Sequence, residues 1–381
     1  MMQHARTAVR ARAIPLAARM SNRQTHTGTN RVLIMQPDHL GDILLSQPSV
    51  TMLRELMPND ELIAVVGPWS REIASLAWPV DRVVAVDFPG FARVRKRSPI
   101  APYTELRRAA RSLISLDARA AVVLRPDAWW ATWLASLVAP LVVTSNDPQC
   151  VPFATSVTAV PDQAHSAVRA FTIASQLVDR PGAVPTPSSR PLHLPPSAHA
   201  SDEARALLCQ QHVDGPYIVI HSGSGAPVKE WPAHRWAQIA RFAIQRGLNV
   251  ILSGSAAERQ LAVEIADAAP GTMSLAGRTS VAVLAELLRG ASVAVGPDCG
   301  PLHLAVATGT PTVHLFGPSD PTRYGPWGDS ARHRVLRADR TCPRCGDLAR
   351  ARASGCGCML AIQTSMVTTA LDELLGSNHA S

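Results

Sequence analysis

From Arg31 onward the chain alternates short, almost continuously apolar runs with helix-length amphipathic stretches, and it does so twice, on either side of a proline-rich break. Runs of this kind have no polar face to offer water, so they belong to parallel strands covered by helices on both sides. The first half offers strands at 31–35, 62–66, 82–86, 120–124 and 141–144, and the second at 217–221, 249–253, 272–275, 292–295 and 312–315. Between the halves, PGAVPTPSSRPLHLPPSAHAS carries six prolines, which a helix interior or a central strand does not tolerate. The expected architecture is α/β: two Rossmann-like, doubly wound domains facing a cleft, at 31–180 and 205–358, joined by a linker at 181–204. One helix is legible in detail. Pro232 opens it, Trp236, Ile239, Ala240 and Ala243 give it one apolar face, and Gly247 closes it.

Composition narrows the class. A length of 381 residues with a 46% hydrophobic fraction suits two ordinary domains, and no apolar run approaches the ~18 residues that cross a bilayer. The net charge is +8, but Arg6, Arg10, Arg12, Arg19 and Arg23 place five of those charges in residues 1–30, which contain no acid and read as a basic tail. The remaining +3 argues against a nucleic-acid binder. Seven cysteines, an odd and clustered set without an apolar secretory signal, point to a reducing cytoplasm rather than a disulfide framework.

Ligands of open α/β sheets bind beyond the carboxyl ends of the strands, so the loops there are the candidate sites. In QPDHLGDILLSQP, Asp42 sits where a helix begins. Read locally it is either an acid favoured by the helix N-terminus or a carboxylate placed to take a proton, and the local sequence favours the first. In HSGSGAPVKEWP, Gly223 and Gly225 let backbone amides approach an anion, Ser222 and Ser224 add hydroxyls, and Lys229 adds a charge. A plain turn explains the same residues about as well. In VGPDCGPLHLA, Asp298 looks like an N-cap, which would aim the amides of Cys299 and Gly300 at an anion, with His303 one turn inside. A half-buried, satisfied histidine is the alternative for His303.

Together with LAGRTS at 275–280 and FGPSDPTRYGPWG at 316–328, these blocks resemble, in order and spacing, glycosyltransferase family 9, the ADP-heptose:lipopolysaccharide heptosyltransferases. The resemblance implies a GT-B architecture with the acceptor on the first domain and the nucleotide sugar on the second. It implies a terminal helix at 359–381 that packs back on the first domain, and inverting transfer with Asp42 as general base. It implies a catalytic role for Lys229 too, stabilising the charge of the departing diphosphate, while Ser222, Gly223, Ser224, Gly225, Asp298, Cys299, Gly300 and His303 would hold the donor, with ADP-heptose the expected one and no obligatory cofactor. The expected acceptor is an anionic glycolipid, near His39 and the basic run Arg93, Arg95, Lys96 and Arg97, which would favour peripheral association with the inner membrane. Glycosylation of a protein or natural product, and non-catalytic nucleotide-sugar binding, are the competing functions. Cys299 departs from the family's Ser or Thr, replacing a hydroxyl donor by a weak thiol. Cys342, Cys345, Cys356 and Cys358 have a spacing that a structural zinc or iron ion would accept, with reduced, partly buried thiols the simpler reading. Trp129, Trp130 and Trp133 suit one helix face and read as core rather than as a sugar platform.

Overall fold

The computed structural model describes residues 28–91, 100–337 and 357–377. The chain divides into two compact units, Met1–Pro185 and Thr186–Ser381. The first is built on β1 (Arg31–Gln36), β2 (Glu61–Val66), β3 (Arg82–Ala85), β4 (Ala120–Val123), β5 (Leu141–Ser145) and β6 (Ser156–Thr158), in the order β3-β2-β1-β4-β5-β6. The second uses β7 (Tyr217–His221), β8 (Asn249–Ser253), β9 (Thr272–Ser274), β10 (Val293–Pro297), β11 (Thr312–Phe316) and β12 (His333–Arg337), in the order β12-β11-β10-β7-β8-β9. Each pairing is parallel, from Arg31 opposite Glu61 to Tyr217 opposite Asn249. Each unit is thus a doubly wound sheet whose first strand lies at its centre, and the strand order reverses beside that strand.

The apolar strands are where periodicity puts them, and β1, β7 and β10 are buried throughout apart from Arg31. Two of the four edge strands, β6 and β12, are new. SVT and HRVLR carry too little apolar sequence to announce themselves, because an edge needs only one covered side. The Ala233–Ile244 helix buries the four side chains its spacing singled out, and Gly247 closes the turn at φ +76°. Pro232 is its N-cap rather than its first residue.

The chain after the proline break behaves differently from a free linker. Leu192 and Leu194 are buried and their amides donate to Trp327 O and Ala307 O, and Ser197 caps the Ala198–Gln210 helix, so ordered structure of the second unit starts before residue 204. The terminal helix, Thr364–Ser377, also departs from expectation. Its Val367, Ala370, Leu371 and Leu374 belong to the core of the second unit, not the first, alongside Trp236 and Ile239. Trp231 Nε1 and Arg235 Nη1 tie the preceding segment down through Ile362 O, at 3.2 and 2.7 Å. Met359 fills the space that a side chain on Gly317 would occupy. Apolar surface over β10–β12 is covered by this helix, which is reason enough for it to stay.

Candidate active site

In the first unit, β1 delivers the chain into a short loop and the Leu40–Leu45 helix. His39 is its N-cap in extended conformation, so Asp42 is in the first turn rather than at the cap. His39 rests against Trp69 with ring centroids 5.4 Å apart. The carboxylate that sequence reading passed over is Asp38, four residues before Asp42. Its side chain is buried, its carbonyl accepts from Trp69 Nε1 and Ser70 Oγ, and it forms an ion pair with Arg125 from the loop after β4. Arg125 also grips Asp127 at 2.6 Å and lies over the Phe91 ring. Burial and the nearby charge of Asp42 push Asp38 up to about 8, with Arg125 pulling the other way. Asp38, Asp42, Arg125 and Asp127 therefore form one electrostatic cluster. The signal for Asp38 lay in the same PDHLGD block; that for Arg125 lay nowhere in its local sequence.

In the second unit, β7 ends at His221, whose Nδ1 lies 3.0 Å from Ser253 Oγ. Ser222 and Gly223 follow, both buried, then Ser224 and exposed Gly225. Ser224 Oγ donates to Ala226 O at 2.6 Å, so its hydroxyl serves its own turn rather than reaching outward. A Cβ on Gly223 would stand 1.8 Å from Glu258 Oε1, so a side chain there would have to displace the end of Glu258. Glu258 is held in place by a capping box, accepting from Ser255 N at 2.6 Å, and the S-x-x-E spacing was the available clue to it.

The Gly300–Ala307 helix is capped by Cys299, not by Asp298. Asp298 instead anchors a buried charge cluster. Its Oδ2 lies 2.6 Å from Lys229 Nζ and its Oδ1 3.7 Å from His303 Nε2, with the three side chains 7%, 16% and 4% exposed. Although burial works against it, the contact with His303 and the charge of Lys229 hold the Asp298 carboxyl well below the usual carboxylate range. The Lys229 ammonium is thus already counter-balanced, and a phosphate approaching it would share it with Asp298. Behind His303, its ring centroid 5.9 Å away, His314 reaches Thr312 Oγ1 at 2.8 Å and through it His333. Burial pushes the Cys299 thiol far above its ordinary value, so it stays protonated at neutral pH. Pro301 contributes no N–H, so the anion-seeking donors of this terminus are the amides flanking it.

Several expected site residues fall elsewhere. Arg93, Arg95, Lys96, Arg97, Cys342, Cys345 and Cys356 lie outside the described residues, and Cys358 is buried against Gly317. Among the described residues no group of three or more His, Cys, Asp or Glu is disposed to hold a metal ion. Trp130 is buried against Phe88, and half-buried Trp133, stacked on Phe153 at 5.5 Å and on Trp129 at 6.4 Å, packs with Trp129 against the same core. No helix among the described residues is long and apolar enough to cross a membrane.

Known proteins are similar to this chain. The chain is 29% identical over 323 residues to lipopolysaccharide heptosyltransferase 1 of Pseudomonas aeruginosa, covering 83% of this chain and 86% of that one. A family 9 glycosyltransferase from Veillonella parvula superposes with a TM-score of 0.77 at 22% identity, over 93% of this chain and 100% of the other. The ADP-heptose lipopolysaccharide heptosyltransferase II of Escherichia coli gives 0.72 at 21% identity, over 92% and 99%. These share the fold. Residues 106–347 match the model of glycosyltransferase family 9 (heptosyltransferase), which is more than half of the chain. The protein belongs to glycosyltransferase family 9 and is a glycosyltransferase.

Proposed function

We propose that this enzyme transfers a heptose from ADP-heptose to an acidic sugar of a lipopolysaccharide core, with inversion at the anomeric carbon. A relative is named lipopolysaccharide heptosyltransferase 1, and the Lys229–Asp298–His303 cluster at a helix N-terminus is the observation on which the donor side rests. Asp42 takes the proton of the acceptor hydroxyl as that oxygen attacks the anomeric carbon. The bond to the diphosphate oxygen breaks, and the departing charge is met by the Lys229 ammonium and the amides around Cys299 and Gly300. Lys229 moves from carboxylate to phosphate in that step, while His303 remains beside Asp298. Gly223 and Glu258 shape the floor of the donor loop. Arg125, which interacts with both Asp38 and Asp42, is the cation that balances this carboxylate cluster.

The test is Asp42→Asn. Transfer from ADP-heptose, followed by ADP release, should fall about 100- to 10,000-fold, while ADP binding by calorimetry stays within about threefold. Undiminished turnover would eliminate Asp42 as the base. A thermal-shift response to UDP- or GDP-sugars but not to ADP-heptose would reassign the donor.

A further inference from the structure

Charge in the Lys229–Asp298–His303 cluster balances only while Lys229 stays where it is. One carboxylate faces one ammonium at 2.6 Å, and His303 Nε2 stands 3.7 Å from the other carboxylate oxygen. A neutral imidazole completes that balance, since a second cation here would be buried and unmatched. A nucleoside diphosphate that draws Lys229 away leaves the buried Asp298 carboxylate without its counter-ion. Such a group takes a new partner or a proton. The base already beside it is His303, and an imidazole binds a proton far more readily than a carboxylate does.

The surroundings of His303 favour it as the receiver. Its Nδ1 is buried and has no hydrogen-bond partner among the described residues, and the same is true of Nδ1 on His314, the ring beside it from β11. His314 Nε2 and His333 Nδ1, from β12, share Thr312 Oγ1 at 2.8 Å each. A hydroxyl has one proton to give, so donation from His314 Nε2 to Thr312 and from Thr312 to His333 leaves His314 Nδ1 an acceptor. An N–H formed on His303 Nδ1 then has a lone pair on the adjacent ring, 5.9 Å away between centroids. The other titratable neighbours do not compete. Burial holds His314 well below its ordinary value and His333 down to about 4, and the Cys299 thiol already carries its proton. On the Val281–Arg289 helix, which packs on the His303 helix, Glu286 and Arg289 pair with each other at 3.1 Å.

We propose that His303 takes up one proton from solvent as a nucleoside diphosphate binds, and releases it when the diphosphate leaves. The proton adds to Nδ1, and the resulting imidazolium faces Asp298 through its Nε2–H, replacing Lys229 as the counter-charge. No other bond forms or breaks. The inference rests on Lys229 serving the diphosphate, as proposed above.

The measurement is calorimetric titration of the full chain with ADP at about pH 8, well above the phosphate's own ionisation near pH 6. It is run in HEPES and in Tris, whose different ionisation enthalpies reveal the protons exchanged. Wild type should take up about 0.5–1 proton per ADP, so its affinity should fall about three- to tenfold per pH unit above neutrality. H303Q should take up none and lose that pH dependence. Nitrogen-15 histidine spectra of wild type read the same event without a variant: ADP should convert one of the 13 imidazoles to imidazolium. ADP binding without proton uptake, or without a new imidazolium, would overturn the proposal. Equal uptake by H303Q would also overturn it, by assigning the proton to Asp298. Failure of wild type to bind ADP at all would instead remove the donor reading, and this inference with it.

Discussion

Replacing Asp298 by Asn tests the charge cluster most directly. The change keeps the side chain's shape but removes the charge 2.6 Å from Lys229 Nζ, leaving an ammonium that is only 16% exposed without its counter-ion. Breaking a buried pair from one side costs about 3–5 kcal/mol. The amide oxygen still accepts a hydrogen bond and Lys229 keeps an edge toward water, so about 2–3 kcal/mol is expected here. For a unit of this size that lowers Tm by roughly 5–10 °C. Differential scanning calorimetry is the suitable assay, since it can resolve separate transitions of the two units. The pH dependence supplies the sign. The folded-state pKa of Asp298 is depressed, so its stabilisation is complete above the unfolded value of about 3.9 and is lost as pH falls through the lower folded value. The deficit of the variant should be full at pH 7 and shrink below about pH 4. Adding Lys229→Met to Asp298→Asn should recover at least half of it, because no buried charge is then left over. An unchanged Tm at pH 7, or an equal deficit at pH 3, would refute the pair as a source of stability.

Three further outcomes follow from the packing. Asp38, pushed up to about 8 when folded, binds a proton more tightly in the native state, so its contribution falls as pH rises from about 4 to 8. Asp38→Asn should flatten the dependence of Tm on pH across that window, measured by thermal denaturation at pH 5 and pH 8. Gly223→Ala forces Glu258 out of its capping box and should cost about 1–3 kcal/mol with weaker ADP binding, read by denaturation and calorimetry. Leu371→Ala should destabilise the second unit by about 2–4 kcal/mol in urea, and an effect confined to the transition of the first unit would contradict where the terminal helix packs.

Central strands were legible because burial on both faces leaves an unbroken apolar run, and the Ala233–Ile244 helix because one apolar face repeats at the helical period. The edge strands β6 and β12 were not, since a half-covered strand such as HRVLR looks like a surface loop. Within the site, loops after strands were found by their glycines, prolines and charges. The roles inside them were assigned less well: Asp298 looked like a cap because an acid before Cys-Gly-Pro suits one, yet Cys299 occupies that place. Ser224 looked outward-facing because a hydroxyl between glycines suggests a ligand, yet its own turn uses it.

The order of elements, the two-unit division and the family blocks all reside in short stretches of chain, where periodicity and turn chemistry act between near neighbours. Partners do not. Lys229 meets Asp298, Arg125 meets Asp38, and Trp231 holds Ile362 across separations of 69, 87 and 131 residues. Such meetings depend on which strand lies beside which in the sheet. A buried charge must take whatever counter-charge the topology brings within reach, so its partner follows from the fold as a whole and not from its neighbours in the chain.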